Sequence, residues 1–187
     1  MSSRAIAVLP IGDVPEEDLK DLSKGLQRNL NLEIKILPAR PLPSPSAADK
    51  KQGQYDAAPF MEMVSKEAGG IKSNYLRVLG VTGEDLYTPG LNFIFGQAEI
   101  SGRAAVISTV RLKYNQFWII GKRKLEPREV FVTRMIKEAV HELGHTFGLR
   151  HCERDTCVMH FSNRLEDTDH KSENYCRRCR KQIKNLN

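Results

Sequence analysis

The stretch from His141 to His151 reads His-Glu-Leu-Gly-His-Thr-Phe-Gly-Leu-Arg-His, and it constrains this chain more than any other. Its pattern is H-E-x-x-H-x-x-G-x-x-H, and each fixed position has a separate physical job. On a helix, His141 and His145 lie one turn apart and project from the same face. Two imidazoles so placed can grip one zinc ion at about 2.0–2.1 Å. Glu142 is rotated by about 100° from His141, where it can reach a water at the metal without ligating the metal itself. Gly148 can take positive φ at no steric cost, so it can end the helix and turn the chain back. That turn would return His151 as a third ligand. Three protein ligands leave one tetrahedral position open, the mark of a catalytic rather than a structural zinc. A bare HExxH occurs by chance on ordinary amphipathic helices. Gly148 and His151 at their fixed positions argue against chance here.

Directly after His151 comes a second constellation, Cys152-x4-Cys157-x18-Cys176-x2-Cys179, which holds all four cysteines of the chain. Four thiolates satisfy a tetrahedral zinc completely, with Zn–S near ~2.3 Å. The closing Cys-x2-Cys is a common half-site, whereas the x4 spacing is less typical, and four buried or redox-active thiols are the competing reading. Met1 to Gly12 carries only the short apolar run Ala5 to Leu9, too short for a secretory segment, and no stretch is apolar enough to span a membrane. The chain is therefore expected to be cytoplasmic, where thiols stay reduced and clustered cysteines are metal ligands more often than disulfides. Cys152 to Asn187 is too polar to build a core of its own, and a structural zinc can supply about 10–16 kcal/mol of folding energy to such a module.

At 187 residues the chain is expected to be one domain. Arg4 to Leu9 reads as a first strand. Pro15 to Leu30 follows as a helix with a stripe of Leu19, Leu22, Leu26 and Leu30, and Leu32 to Leu37 as a second strand. That order implies a parallel pair with a right-handed crossover. Pro38 to Lys51, rich in proline, reads as a surface loop, Tyr55 to Ala68 as a second helix, and Tyr75 to Leu79 as a third strand well inside the sheet. Gly83 to Gly90 reads as a loop. Leu91 to Ile100 and Arg103 to Leu112 read as a hairpin around Ser101-Gly102, and Lys122 to Lys124 as a solvated basic run. From Pro127 a helix runs into the motif. Val132, Ile136, Ala139 and Leu143 would pack on the sheet, while Arg134, Glu138, His141 and His145 would look into a cleft.

Met159 stands two residues after Cys157, so the combined string is H-E-x-x-H-x-x-G-x-x-H-C-x4-C-x-M followed by C-x2-C. The three-histidine motif resembles the metzincin clan of zinc peptidases, and the whole string from Glu138 to Cys179 resembles the archaemetzincin family. The resemblance implies an α+β, zincin-like fold: a mixed, twisted β-sheet packed with scaffold helices and an active-site helix, then a small C-terminal zinc-stabilised subdomain. Residues 1–148 would form the upper subdomain and 149–187 the lower, the latter with Met159 as the Met-turn beneath the zinc. It further implies two zinc ions, a catalytic one on His141, His145 and His151 and a structural one on Cys152, Cys157, Cys176 and Cys179. Glu142 would be the catalytic base of a metallopeptidase. Its partner would be a peptide or protein substrate, paired with an edge strand within Leu91 to Ala98, and the protein would act as a monomer without membrane contact. His160 and His170 are expected to be surface or core residues, and nothing in the sequence gives Tyr175 a role.

A zinc-stabilised binding module is the alternative. Its support is a net charge of +6 and the basic tail Arg177, Arg178, Arg180 and Lys181 with Lys184 nearby. Against nucleic acid, the tail lacks interleaved aromatics beyond Tyr175, and Glu166, Asp167, Asp169 and Glu173 lie close by.

Overall fold

The computed structural model describes residues 5–44, 48–49, 52–70, 74–114 and 126–186. Strand β1 (Ala5–Ile11) is buried at every position. A strand covered on both faces belongs in the middle of a sheet, and β1 lies there, parallel both to β2 (Glu33–Ile36) and to β5 (Arg77–Thr82). Beyond β5 the sheet continues through β9 (Ala104–Ser108), parallel, to β8 (Gly96–Ala98), antiparallel at the edge, in the order β2-β1-β5-β9-β8.

Alternation along the strands divides the apolar residues between the faces. Ile6, Val8, Leu79, Val81, Ala105 and Ile107 pack with Leu19, Leu22 and Leu26 of helix α1 (Glu16–Leu30) and with helix α3 (Arg128–Thr146). Ala7, Leu9, Ile11, Val78, Ala104 and Val106 face helix α2 (Ala57–Gly69) through Phe60, Met61 and Val64. Helices thus cover both faces, and α3 carries the three-histidine motif across the sheet toward its β8 edge.

The strand–helix–strand start and the motif helix agree with expectation. The hairpin does not. Leu91–Ile94 (β7) pairs with β6 (Leu86–Thr88) across the Pro89-Gly90 turn, and only Gly96–Ala98 pairs with β9. The first half of the segment thus takes its partner across Pro89-Gly90, and the second half keeps β9. Together with β3 (Ala48–Asp49) and β4 (Gln54–Asp56), β6 and β7 form a second sheet in the order β3-β4-β6-β7. The regions expected to be loops at 38–51 and 83–90 therefore contribute β3 and β6. The basic run Lys122–Lys124 lies outside the described residues.

Arg134 also departs from expectation. It does not reach the cleft. Its guanidinium donates to both carboxylate oxygens of Asp169, each at 2.6 Å, and to the carbonyls of Leu112 and Tyr114. At two turns before His141 it lies past the end of the cleft, where the chain after β9 and helix α4 (Leu165–His170) close over it. Among the described residues, the chain after Thr146 adds no separate core: Leu149, Cys152, Cys157, Val158, Met159, Tyr175 and Cys179 join the cluster built on α1 and α3. Among the described residues no helix is long and apolar enough to cross a membrane.

Leu22 is fully buried between α1 and the sheet. Leu22→Ala is expected to cost about 2–5 kcal/mol, measured as a lower midpoint in chemical denaturation with the slope unchanged.

Candidate metal centres and cleft

Helix α3 stops where its last carbonyls are capped: Phe147 N–H donates to Leu143 O, Gly148 N–H to His145 O and Leu149 N–H to Gly144 O. Gly148 has φ 85°, a conformation that costs glycine nothing. The turn brings His151 beside the two helical histidines, with ring centroids 4.7 Å apart for His141–His145, 5.4 Å for His141–His151 and 4.9 Å for His145–His151. One nitrogen from each ring lies within 4.8 Å of the others.

Carbonyl oxygens only accept, so the partners of these rings decide their tautomers. His141 Nδ1 donates to Val158 O at 2.7 Å and His145 Nδ1 to Leu149 O at 2.8 Å. Burial holds both imidazoles below their usual range, His141 well below, with Lys171 pressing the same way. Neutral rings protonated on Nδ1 carry bare lone pairs on Nε2, and the two Nε2 atoms face each other at 3.1 Å. Two lone pairs at that distance repel unless a cation lies between them. The separation is close to the roughly 3.3 Å edge of a tetrahedral zinc site with nitrogen ligands. The residues fit zinc.

Glu142 is 6% exposed, and burial raises its carboxyl to about 8, with Glu138 pushing the same way and Lys171 opposing. Its neighbour across the cleft is Gly96 of β8. A β-carbon at position 96 would lie 2.6 Å from Glu142 Cγ and 2.8 Å from Oε1, so only glycine lets the edge strand approach the carboxylate this closely. Between β8 and α3 lies a cleft of about 380 Å³, reached by His141, Glu142, His145 and His151.

Behind the cleft floor sits a buried ion pair. Glu138 Oε1 accepts from Thr168 Oγ1 at 2.9 Å and lies 3.0 Å from Lys171 Nζ, whose side chain is fully buried. Lys137 Nζ donates to the carbonyls of Thr168 and Asp169. Nothing in the spacing of the sequence points to Lys171, because a lysine in so polar a segment reads as solvated.

The cysteines converge as well. Cys152 and Cys176 Sγ are 3.9 Å apart, as are Cys157 and Cys179 Sγ, and all four fall within 4.8 Å. A disulfide needs about 2.05 Å; tetrahedral sulfurs around zinc sit about 3.8 Å apart. The thiol set fits a closed zinc site. Burial acts to raise the Cys176 thiol, but hydrogen bonds involving Cys179 and Cys157 outweigh it and bring the group down to about 7. Arg177, Arg178, Arg180 and Lys181 are exposed on helix α5 (Arg177–Leu186), a solvated face next to this cluster.

Met159 is fully buried against α3, and a β-carbon at Gly144 would lie 2.4 Å from its Sδ. Tyr175 packs at the same place and donates its hydroxyl to Val140 O at 2.7 Å. Sequence reasoning missed Tyr175, and its position just before Cys176 was the only available signal. Neither of the other histidines joins the cluster: His160 Nδ1 donates to Cys152 O, and His170 pairs with Asp155 at the surface.

Residues 15–185 match the family model described as Peptidase family M54. The chain is 46% identical to the archaemetzincin of Methanopyrus kandleri over 148 residues, covering 79% of this chain and 75% of that one. The crystal structure of Methanopyrus kandleri archaemetzincin superposes with TM-score 0.80 at 38% identity, covering 99% of this chain and 96% of that one. A zinc-dependent peptidase from Methanocorpusculum labreanum superposes with TM-score 0.78 at 26% identity, covering 95% and 99%.

Lys171→Met keeps the shape and leaves Glu138 buried without its cation. The expected loss is about 3–5 kcal/mol of stability. A double-mutant cycle with Glu138→Gln, followed by chemical denaturation, should recover part of it.

Proposed function

The chain belongs to peptidase family M54, the archaemetzincin family of zinc metallopeptidases, and from that premise we propose how its residues divide the work of peptide hydrolysis. His141, His145 and His151 hold the catalytic zinc, supported by the paired bare Nε2 atoms 3.1 Å apart and the carbonyl partners that orient both rings. Cys152, Cys157, Cys176 and Cys179 hold a second, structural zinc, supported by sulfur spacings of 3.9 Å. Zinc on three histidines supplies a Lewis acid that makes water nucleophilic near neutral pH and polarises a carbonyl.

Glu142 is the general base: it takes the proton of the attacking water and delivers it to the leaving amine. Its place in the cleft wall, one residue from His141 and against Gly96, supports that role. Because β8 ends the sheet, its outward main-chain groups are available to an extended peptide. Such a peptide, paired antiparallel or parallel with Gly96–Ala98, would pass its backbone directly beside Glu142. The single observation that carries this reading is the convergence of three ring nitrogens beside a buried carboxylate in the cleft at the sheet edge.

Metal analysis of the purified protein is expected to give two zinc ions per chain, falling to one in His145→Ala. One or none in the wild type overturns the two-site assignment. Glu142→Gln should keep both ions while kcat for peptide cleavage drops about 10²–10⁴-fold. Retained turnover in that variant removes Glu142 from the mechanism.

A further inference from the structure

Four large hydrophobic side chains stand out as exposed among the described residues: Ile36, Leu91, Ile100 and Phe161. Three of the four, Leu91 at 50%, Ile100 at 61% and Phe161 at 45% exposure, line the cleft that holds Glu142 and the three histidines. Ile36 lies on β2 at the opposite edge of the sheet. Apolar surface concentrated at one concave place marks a binding surface rather than chance exposure.

The arrangement is specific. Phe161 is set by its contact with His151, ring centroids 4.9 Å apart, so it stands at the histidine cluster. Leu91, on β7, and Ile100, just after β8, line the same cleft as Gly96–Ala98, so apolar contacts are available beside a strand paired there. Phe93 and Phe95 pack edge to face at 5.3 Å and continue the apolar wall. The ionisable lining outside the histidines is acidic, Glu138 and Glu142, and no lysine or arginine among the described residues lines the cleft. Lys171, fully buried behind Glu138, cannot meet a ligand's carboxylate.

We propose that this cleft selects extended peptides carrying large aliphatic or aromatic side chains next to the scissile bond, with Leu91, Ile100 and Phe161 as the specificity-determining residues. The proposal rests on the peptide-hydrolysis reading above and narrows its substrate class. An extended chain places alternate side chains on the same side about 6.6–6.8 Å apart, so one bound segment can touch apolar residues at more than one point. Apart from the histidine-held zinc, an acidic side chain would meet no lysine or arginine of the lining among the described residues, with Glu138 and Glu142 beside it. Apolar pockets of this kind discriminate by about 10–200-fold for each methylene-sized difference.

The test uses zinc-loaded Glu142→Gln protein, which holds peptides without consuming them. Two fluorescent peptides differ only at the positions flanking the bond to be cut, Leu-Phe in one and Asp-Asp in the other. Anisotropy titration is expected to show the Leu-Phe peptide binding at least about 10-fold tighter. Adding Phe161→Ser, and separately Ile100→Ser, should bring that ratio toward one with zinc content unchanged. Equal affinity for both peptides, preference for the acidic one, no binding of either, or a ratio that ignores both serine variants would overturn the proposal. Cleavage by the wild type is a separate readout. Failure to cut a peptide that is bound with the expected preference would count against hydrolysis, and leave apolar selection standing.

Discussion

The carbonyl of Val158 holds the ring of His141, and much of the site depends on that 2.7 Å bond. A histidine on a helix can rotate about its side-chain bonds and can carry its proton on either nitrogen. Accepting from Nδ1 settles both, and the acceptor comes from the chain beyond the helix, one residue after Cys157. The same segment is pinned repeatedly: Cys152 N–H donates to Met159 O, Val158 N–H to Asn174 O, and the Tyr175 hydroxyl to Val140 O. Helix and tail are therefore one mechanical unit. The polar tail holds its shape through cysteines and main-chain bonds, and in return orients the first histidine of the motif.

Charge is handled by the same logic of mutual support. Removing Lys171 and Glu138 from water is costly for each alone, and a buried pair of this kind is tolerated when its hydrogen bonds are met. Thr168 completes Glu138, while Lys137 secures the carbonyls of Thr168 and Asp169. Arg134 then clamps Asp169. This ladder of alternating charge ties α4 to α3 along the side of the helix that reaches the cleft.

How much of this was legible in the sequence differs by element. The local codes were plain: β1 as an unbroken apolar run, α1 from its leucine stripe, and α3 with its glycine stop. The histidines and cysteines could be grouped because metal ligands obey narrow spacing rules. Partners set by long-range competition were not legible. Leu91–Ile94 looks as ready to pair with β9 as with β6, and the structure pairs it with β6 across Pro89-Gly90. Arg134 lies on nearly the same helical stripe as Glu138, yet the tail chain closing over it takes it out of the cleft. Lys171 and Tyr175 were invisible for the same reason, since their partners lie 33 and 35 residues away in the chain.

The shortness of β8 has a consequence for solubility. An exposed sheet edge is a template on which other chains can polymerise. An edge left open for the proposed substrate strand is not protected by a cover. β8 offers only Gly96–Ala98 before the chain turns away through Glu99 and the bend at Ser101-Gly102, while β7 leaves in the other direction to a different sheet. A very short edge strand is one of the ways in which natural sheets blunt an open edge, because it offers few unpaired main-chain groups to another chain. The break in the expected hairpin thus shortens this open edge, and with it the template for edge-to-edge pairing.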